Sequence, residues 1–225
     1  VWGRAGRAGM GGVGARWHPG ALAGNDKIYD DGLRQSGVIR APGLRDLLEY
    51  ASAIPALATP KGENVVIITG AGGSGVLLSD AVVDNGLKLM AMPADLDAAF
   101  RKFIPPFGAA GNPVDITGGE PPRTYQNTIR LGLEEPRIHA LILGYWHTII
   151  TPPMVFAKLV VEVVEEMKAK GIHKPIVASL AGDVEVEEAA EYLFQHGIPA
   201  YPYTTEMPVA VLGAKYQWAR GAGLL

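Results

Sequence analysis

Three short runs constrain the fold of this chain more than any other feature: "NVVIITG" from Asn64, "IHALILGYW" from Ile138 and "KPIVASLAG" from Lys174. Their cores are apolar at consecutive rather than alternate positions, the pattern of a strand covered on both faces. Helical patterns stand between them. In "TPPMVFAKLVVEVVEEMKAKG", Phe156, Leu159, Val160, Val163, Val164 and Met167 keep the 3.6-residue period. Thr151 is the expected N-cap of that helix, prolines open its first turn and Gly171 stops it. Doubly covered strands alternating with amphipathic helices require a parallel sheet with helices on both faces.

"LKLMAMP" and "IPAYPY" complete a set of five strands, with a brief extended piece expected at Val114–Ile116. The expected fold class is α/β, a doubly wound parallel sheet with a flavodoxin-like layout, preceded by a partial second α/β segment. In that first segment "NDKIYDDGLRQSG" reads as a helix capped by Asn25 or Asp26, and "VIRAP" as a short strand. "GLRDLLEYASAI" reads as a helix with Leu44, Leu47, Leu48 and Ala51 on its inward face. Residues 1–16 are a glycine-rich tail in this reading, 17–59 the partial segment, and 60–225 the main domain after the Pro-punctuated linker "PALATPKGEN". With no initial Met, a fragment or a processed product is the expectation, and the N-terminal stretch carries no apolar signal-peptide core.

Composition narrows the function classes. A net charge of −3, with acids and bases interspersed, argues against nucleic-acid or membrane-surface binding through bulk charge. No apolar run reaches the roughly 18 residues that span a bilayer. With no cysteine, disulfide and thiolate chemistry are excluded, and a cytoplasmic setting is the expectation. No His-x-x-x-His, His/carboxylate cluster or Gly-x-Ser-x-Gly is visible in linear sequence, so no metal ligand is assigned.

Ligands of open α/β sheets bind at the carboxyl ends of the strands. After the first main strand comes "TGAGGSGV". There Gly72, Gly73, Ser74 and Gly75 let the backbone approach an anion, and a helix starting near Ser74 presents its positive end. The stretch is neither a dinucleotide fingerprint, since no acid closes the second strand, nor a P-loop, since no Lys follows the glycines. Either it cradles an anion or it merely packs helix onto strand. In "GNPVDITG", Asn112 starts a turn and Asp115 supports the loop by accepting backbone N–H bonds. His147 follows the third main strand at the ligand edge, either touching a ligand or bonded to loop backbone. His139, His173 and His196 receive no catalytic role.

Two segments taken together resemble the NDP-forming (ADP-forming) acyl-CoA synthetases. "HPGALAGNDKIYDDGLRQSGVIRA" is similar to the family's phosphohistidine segment. "ITGAGGSGVLLSDAVVDNGL", "PPFGAAGNPVDITG" and "HALILGYW" are similar to its next, succinyl-CoA synthetase-like flavodoxin domain. The resemblance runs from about Gly14 to the C-terminus. It implies that 17–59 is the remnant of the phosphohistidine-bearing domain and 60–225 the CoA-ligase domain. It further implies interconversion of acid, CoA and ATP with acyl-CoA, ADP and phosphate through a phosphohistidine.

Residue by residue, the resemblance makes His18 the phosphorylated nucleophile, with Gly20 to Gly24 as its flexible loop. Gly72, Gly73, Ser74 and Gly75 would receive the phosphoryl group, with Asn112 and Asp115 supporting the loop. Trp17 and Pro19 stand where the family has Ser and Thr. CoA, ADP or ATP, phosphate and Mg are implied for the full enzyme, and no resident cofactor is assigned to this chain itself. The CoA-binding and ATP-grasp domains or subunits are the implied partners, in a homo- or hetero-oligomer. A neutral imidazole suits the role, because its ordinary pKa near 6.5 leaves it nucleophilic at neutral pH. The reading from another class is a non-catalytic flavodoxin-like module whose glycine loop binds an anion or a partner. A flavin mononucleotide site, suggested by Tyr145 and Trp146, lacks the hydroxyl-rich phosphate loop it needs.

Overall fold

The structure is a computed structural model that describes residues 1–3 and 26–225. His18, Gly20 and Gly24 lie outside the described residues. The first segment contains β1 (Trp2–Gly3), α1 (Asp26–Gln35), β2 (Arg40–Ala41) and α2 (Leu44–Ala53). The main segment runs β3 (Asn64–Thr69), α3 (Gly72–Asp84), β4 (Lys88–Leu89), α4 (Ala94–Arg101), β5 (Val114–Asp115), α5 (Pro122–Glu134), β6 (Ala140–Trp146) and α6 (Pro153–Ala169). It continues through β7 (Ile176–Ala181), α7 (Glu185–Gln195), β8 (Ala200–Pro202) and α8 (Glu206–Gly221).

The large sheet has the order β4-β3-β6-β7-β8, with β5 beside β3, and every pairing is parallel. Counted from β3 without the short β5, this is the doubly wound order 2-1-3-4-5. In the first segment β1 and β2 form a small parallel pair, Trp2 opposite Arg40 and Gly3 opposite Ala41. Trp2 also stacks on Tyr29 with ring centroids 6.1 Å apart.

The period-2 alternation of β3 divides the core between the two faces. Val66 and Ile68 join Leu141, Leu143, Ile129 and Phe156 on one side. Val65 and Ile67 join Ile142, Leu78, Leu212 and Tyr50 on the other. The second cluster therefore reaches α2, and Lys215 of α8 donates from Nζ to the Ile54 carbonyl at 3.3 Å. Among the described residues, no helix is long and apolar enough to cross a membrane.

One edge of β3 is shared. β4 pairs with Asn64 and Val65, and β5 with Ile68 and Thr69. Between them the Asn112 side chain takes over. Its Nδ2 donates to the carbonyls of Val65 (2.8 Å) and Met90 (3.1 Å), and its Oδ1 accepts from the Ile67 N–H (3.0 Å). That explains why the strand expected over "LKLMAMP" is confined to Lys88–Leu89: the Met90 N–H still donates to the Val65 carbonyl (3.1 Å), but from the Met90 carbonyl onward the Asn112 side chain replaces the neighbouring backbone.

Three local expectations are corrected. On α2, Leu44 and Leu48 are 74% and 63% exposed, whereas Tyr50 and Ala53 are buried. The helix is held through its C-terminal turn, where Tyr50, Ala53 and Ile54 join the α8 side of the core, and this tips the leucine stripe outward. Thr151 does not cap α6: the N-cap position is Pro152, and the buried Thr151 hydroxyl donates instead to the Glu120 carbonyl at 3.0 Å. α3 begins at Gly72, two residues before the expected Ser74.

At the opposite edge of the sheet from the strand C-termini, His139 accepts the Asn64 N–H at Nδ1 (3.1 Å), and a Cβ on Gly62 would fall 2.4 Å from its ring. Burial lowers its pKa from 6.5, with the nearby Lys174 charge adding to the effect. The fold thus prefers the neutral ring, while the unfolded chain binds the proton more readily. Stability from this site is complete above pH 6.5 and is lost as the pH falls from there through the lowered folded value. Denaturant titrations across that range should show stability declining with falling pH, and His139→Gln should flatten the decline. Equal slopes in the two proteins would contradict this role.

Candidate functional site

The first main strand ends by fixing the loop that follows it. Thr69 is fully buried, and its Oγ1 accepts the Ala71 N–H and donates to the Ala71 carbonyl, both at 3.0 Å. Gly70 N–H donates to the Gly144 carbonyl at 3.1 Å. The turn is therefore saturated up to Ala71. Beyond it the helix ladder opens with the Gly75 N–H to the Ala71 carbonyl, 3.0 Å. Ala71 provides no side-chain cap, and among the described residues the N–H groups of Gly72, Gly73 and Ser74 have no hydrogen-bond acceptor. Three parallel donors at the positive end of a 13-residue helix form a cradle for an oxyanion. Gly72 and Gly73 are exposed, so the cradle faces outward.

The second loop reaches the same place. β5 pairs Asp115 with Thr69, and the Asp115 Oδ1 accepts the Thr117 N–H at 2.8 Å. This link holds Thr117 at φ 65°, a left-handed conformation that is costly for a β-branched residue. The other oxygen leans over the helix end: a Cβ added to Gly72 would lie 2.9 Å from Asp115 Oδ2. Gly72 is thus required by the close approach of a carboxylate, which itself sits in the field of the cradle. Of the residues expected to form the site, Gly72, Gly73, Ser74, Gly75 and Asp115 come together. Asn112 lies back along the strand edge with its side chain fully engaged, and His18, Gly20 and Gly24 are outside the described residues.

Tyr125 was legible only as part of a helix, yet it belongs to this edge. Its ring lies 6.3 Å from Tyr145 and 5.1 Å from Phe156, and a Cβ on Gly70 would come within 2.1 Å of its hydroxyl. Burial is the main reason its pKa is raised, with the charges of Tyr145 and Asp115 reinforcing the effect. Its neighbour Tyr145 spends its hydroxyl on the Thr151 carbonyl at 2.6 Å.

His147 departs from the loop-backbone reading. Its ring is bonded neither to loop backbone nor to the α3 end but lies between two carboxylates, with Nδ1 3.1 Å from Asp183 Oδ1 and Nε2 3.5 Å from Glu185 Oε2. The expected absence of a His/carboxylate cluster is therefore corrected: the partners stand 36 and more residues downstream, beyond the reach of a linear motif. One ring nitrogen and two carboxylate oxygens lie within 4.8 Å of one another, a donor set that suits a divalent cation. Both carboxylates are exposed, so the cluster as it stands is open to solvent.

The Asp115 carboxylate and an incoming phosphate would compete for the same field. Asp115→Asn should therefore tighten the binding of inorganic phosphate by about threefold to tenfold, as measured by calorimetry at low salt. Unchanged or weaker binding would contradict the placement of that charge at the cradle.

Comparisons with known proteins converge on one family. Residues 65–225 match the family model for the Ligase-CoA domain, and residues 1–54 match that for the succinyl-CoA ligase like flavodoxin domain. The chain is 38% identical to the alpha subunit of acetate–CoA ligase [ADP-forming] I of Pyrococcus furiosus, over 96% of this chain and 46% of the relative. It is 34% identical to the 4-hydroxybutyrate–CoA ligase [ADP-forming] of Nitrosopumilus maritimus, over 89% of this chain and 28% of the relative. Among solved structures, the dinucleotide-forming acetyl-coenzyme A synthetase 1 of Ca. Korarchaeum cryptofilum, in complex with phosphate and ADP, superposes with a TM-score of 0.89 at 34% identity. That match covers 97% of this chain and 46% of the other. The chain thus spans less than half the length of these relatives. With its doubly wound order and a family model covering most of its length, the chain belongs to the Ligase-CoA domain family.

Proposed function

We propose that this chain is part of an ADP-forming acid–CoA ligase, in which it carries and receives a phosphoryl group. The observation that carries the reading is the cradle at the start of α3, three N–H groups at the ligand edge of the sheet with no acceptor among the described residues. The likeness to alpha subunits of ADP-forming acetate–CoA ligases supports the reaction class.

In the direction of acyl-CoA consumption, a phosphate oxygen attacks the acyl carbon, the C–S bond breaks and CoA leaves as the thiol after taking a proton. A ring nitrogen of His18 then attacks phosphorus, the P–O bond to the acyl group breaks and the carboxylate leaves. Finally an ADP oxygen attacks the phosphohistidine, the P–N bond breaks and ATP forms. Covalent catalysis of this kind divides one difficult transfer into easier steps. The N–H groups of Gly72, Gly73 and Ser74 stabilise the phosphoryl charge without offering a competing nucleophile, contributing about 0.5–2 kcal/mol in such a setting. Gly20 to Gly24 supply the small-residue loop that carries His18.

The CoA-binding and ATP-grasp parts, with the nucleotide and its Mg, come from further domains or subunits, so turnover requires the assembled enzyme in a cytoplasmic setting. Residues 17–59 are the carrier part and 60–225 the receiving part in this proposal. The test is phosphoryl labelling. The chain is incubated with acetyl phosphate, or with the completing parts and ATP, and then examined by mass spectrometry for an acid-labile phosphoryl group. Label on His18 that disappears in His18→Ala is the expected result. No label, or label unchanged by His18→Ala, would sink the carrier role.

A further inference from the structure

We propose that the Tyr125 hydroxyl is a ligand-contact group of the α3 cradle, donating a hydrogen bond to an oxygen of the bound phosphate or phosphoryl group. The inference rests on the reading of that helix end as an anion site, and adds to it a side chain that no motif indicates.

Tyr125 is only 4% exposed, its ring wedged against Tyr145 and Phe156. Within this tightly packed aromatic group the two hydroxyls behave differently. That of Tyr145 is satisfied by the Thr151 carbonyl. That of Tyr125 has no hydrogen-bond partner among the described residues, and it is not sealed inside the core either. It emerges at Gly70, where a Cβ would collide with it at 2.1 Å, beside the Thr117 carbonyl that lies 3.4 Å from the same position. Gly70 leads directly into Ala71 and the open N–H groups of Gly72, Gly73 and Ser74.

A largely buried side chain seldom leaves its polar atom unpaired when a small rearrangement would satisfy it. Here packing holds the ring, and glycine at 70 keeps open the space into which the hydroxyl points. Because burial holds the phenol in its protonated form, it remains a donor, and a donor is what a phosphoryl oxygen requires. The hydroxyl also stands close enough to Asp115 to feel its charge, without a hydrogen bond between them. Donor and acceptor thus flank the cradle from two different elements, α5 and β5.

The experiment measures inorganic phosphate binding by calorimetry to the intact chain and to Tyr125→Phe and Gly73→Val, with thermal melts of each. Tyr125→Phe should raise the phosphate Kd by about tenfold, the loss of one charge-assisted hydrogen bond, and leave Tm unchanged because the hydroxyl has no partner among the described residues. In a second measurement, the Tyr125 ζ-carbon resonance should shift on saturation with phosphate. If Gly73→Val weakens binding while Tyr125→Phe does not and the resonance stays put, the Tyr125 role is overturned and the anion site stands. If the unsubstituted chain binds no phosphate, the anion-site reading falls, and the Tyr125 role with it.

Discussion

The structure hangs on β3, a strand paired along both of its edges. On one side β6 matches it residue for residue from Val65 to Thr69. On the other, β4 and β5 share the edge and the Asn112 side chain bridges the gap between them. Because β5 can pair only at Ile68 and Thr69, Asp115 is delivered to the end of β3, and from there to the start of α3. The buried Thr69 hydroxyl then closes the turn on Ala71. Strand register, more than the glycines themselves, is what places the loops against one another.

What results is an electrostatic balance. The N-terminus of α3 carries partial positive charge and three donors without an acceptor among the described residues, and Asp115 partly offsets it. A fully capped helix end would have no use for a ligand, and an uncapped end without the carboxylate would attract anions indiscriminately. A cradle with a resident carboxylate beside it would bind a free phosphate weakly, as the proposed receipt and release of a phosphoryl group requires. Gly72 and Gly70 leave room for this arrangement, one for the Asp115 oxygen and the other for the Tyr125 hydroxyl.

How much was legible in the sequence depended on how local each signal was. The strands were plain from runs such as "NVVIITG", because burial on both faces leaves no room for polar residues. Gly72 to Gly75 announced a helix entry for the same local reason. Asn112 read as a turn residue, since its bonding partners lie 22 to 47 positions away, in β3 and just past the end of β4. Tyr125 read as one more aromatic in a helix, and nothing local could show that packing against Tyr145 and Phe156 would leave its hydroxyl at Gly70. His147 looked solitary because Asp183 and Glu185 come to it only when β6 and β7 pair, Trp146 opposite Ala181. On α2, periodicity found a helix but chose the wrong stripe, because Leu47 belongs to both candidate faces and only the packing of Tyr50 against the α8 side decides between them.

The central claim is that the open amides of α3 form an anion-binding site. Titrating the 15N-labelled chain with inorganic phosphate while following its backbone N–H resonances tests it directly. Saturable shifts concentrated at Gly72, Gly73 and Ser74 are the predicted result. Phosphate-dependent shifts spread over surface lysines, with those three resonances unmoved, would contradict it.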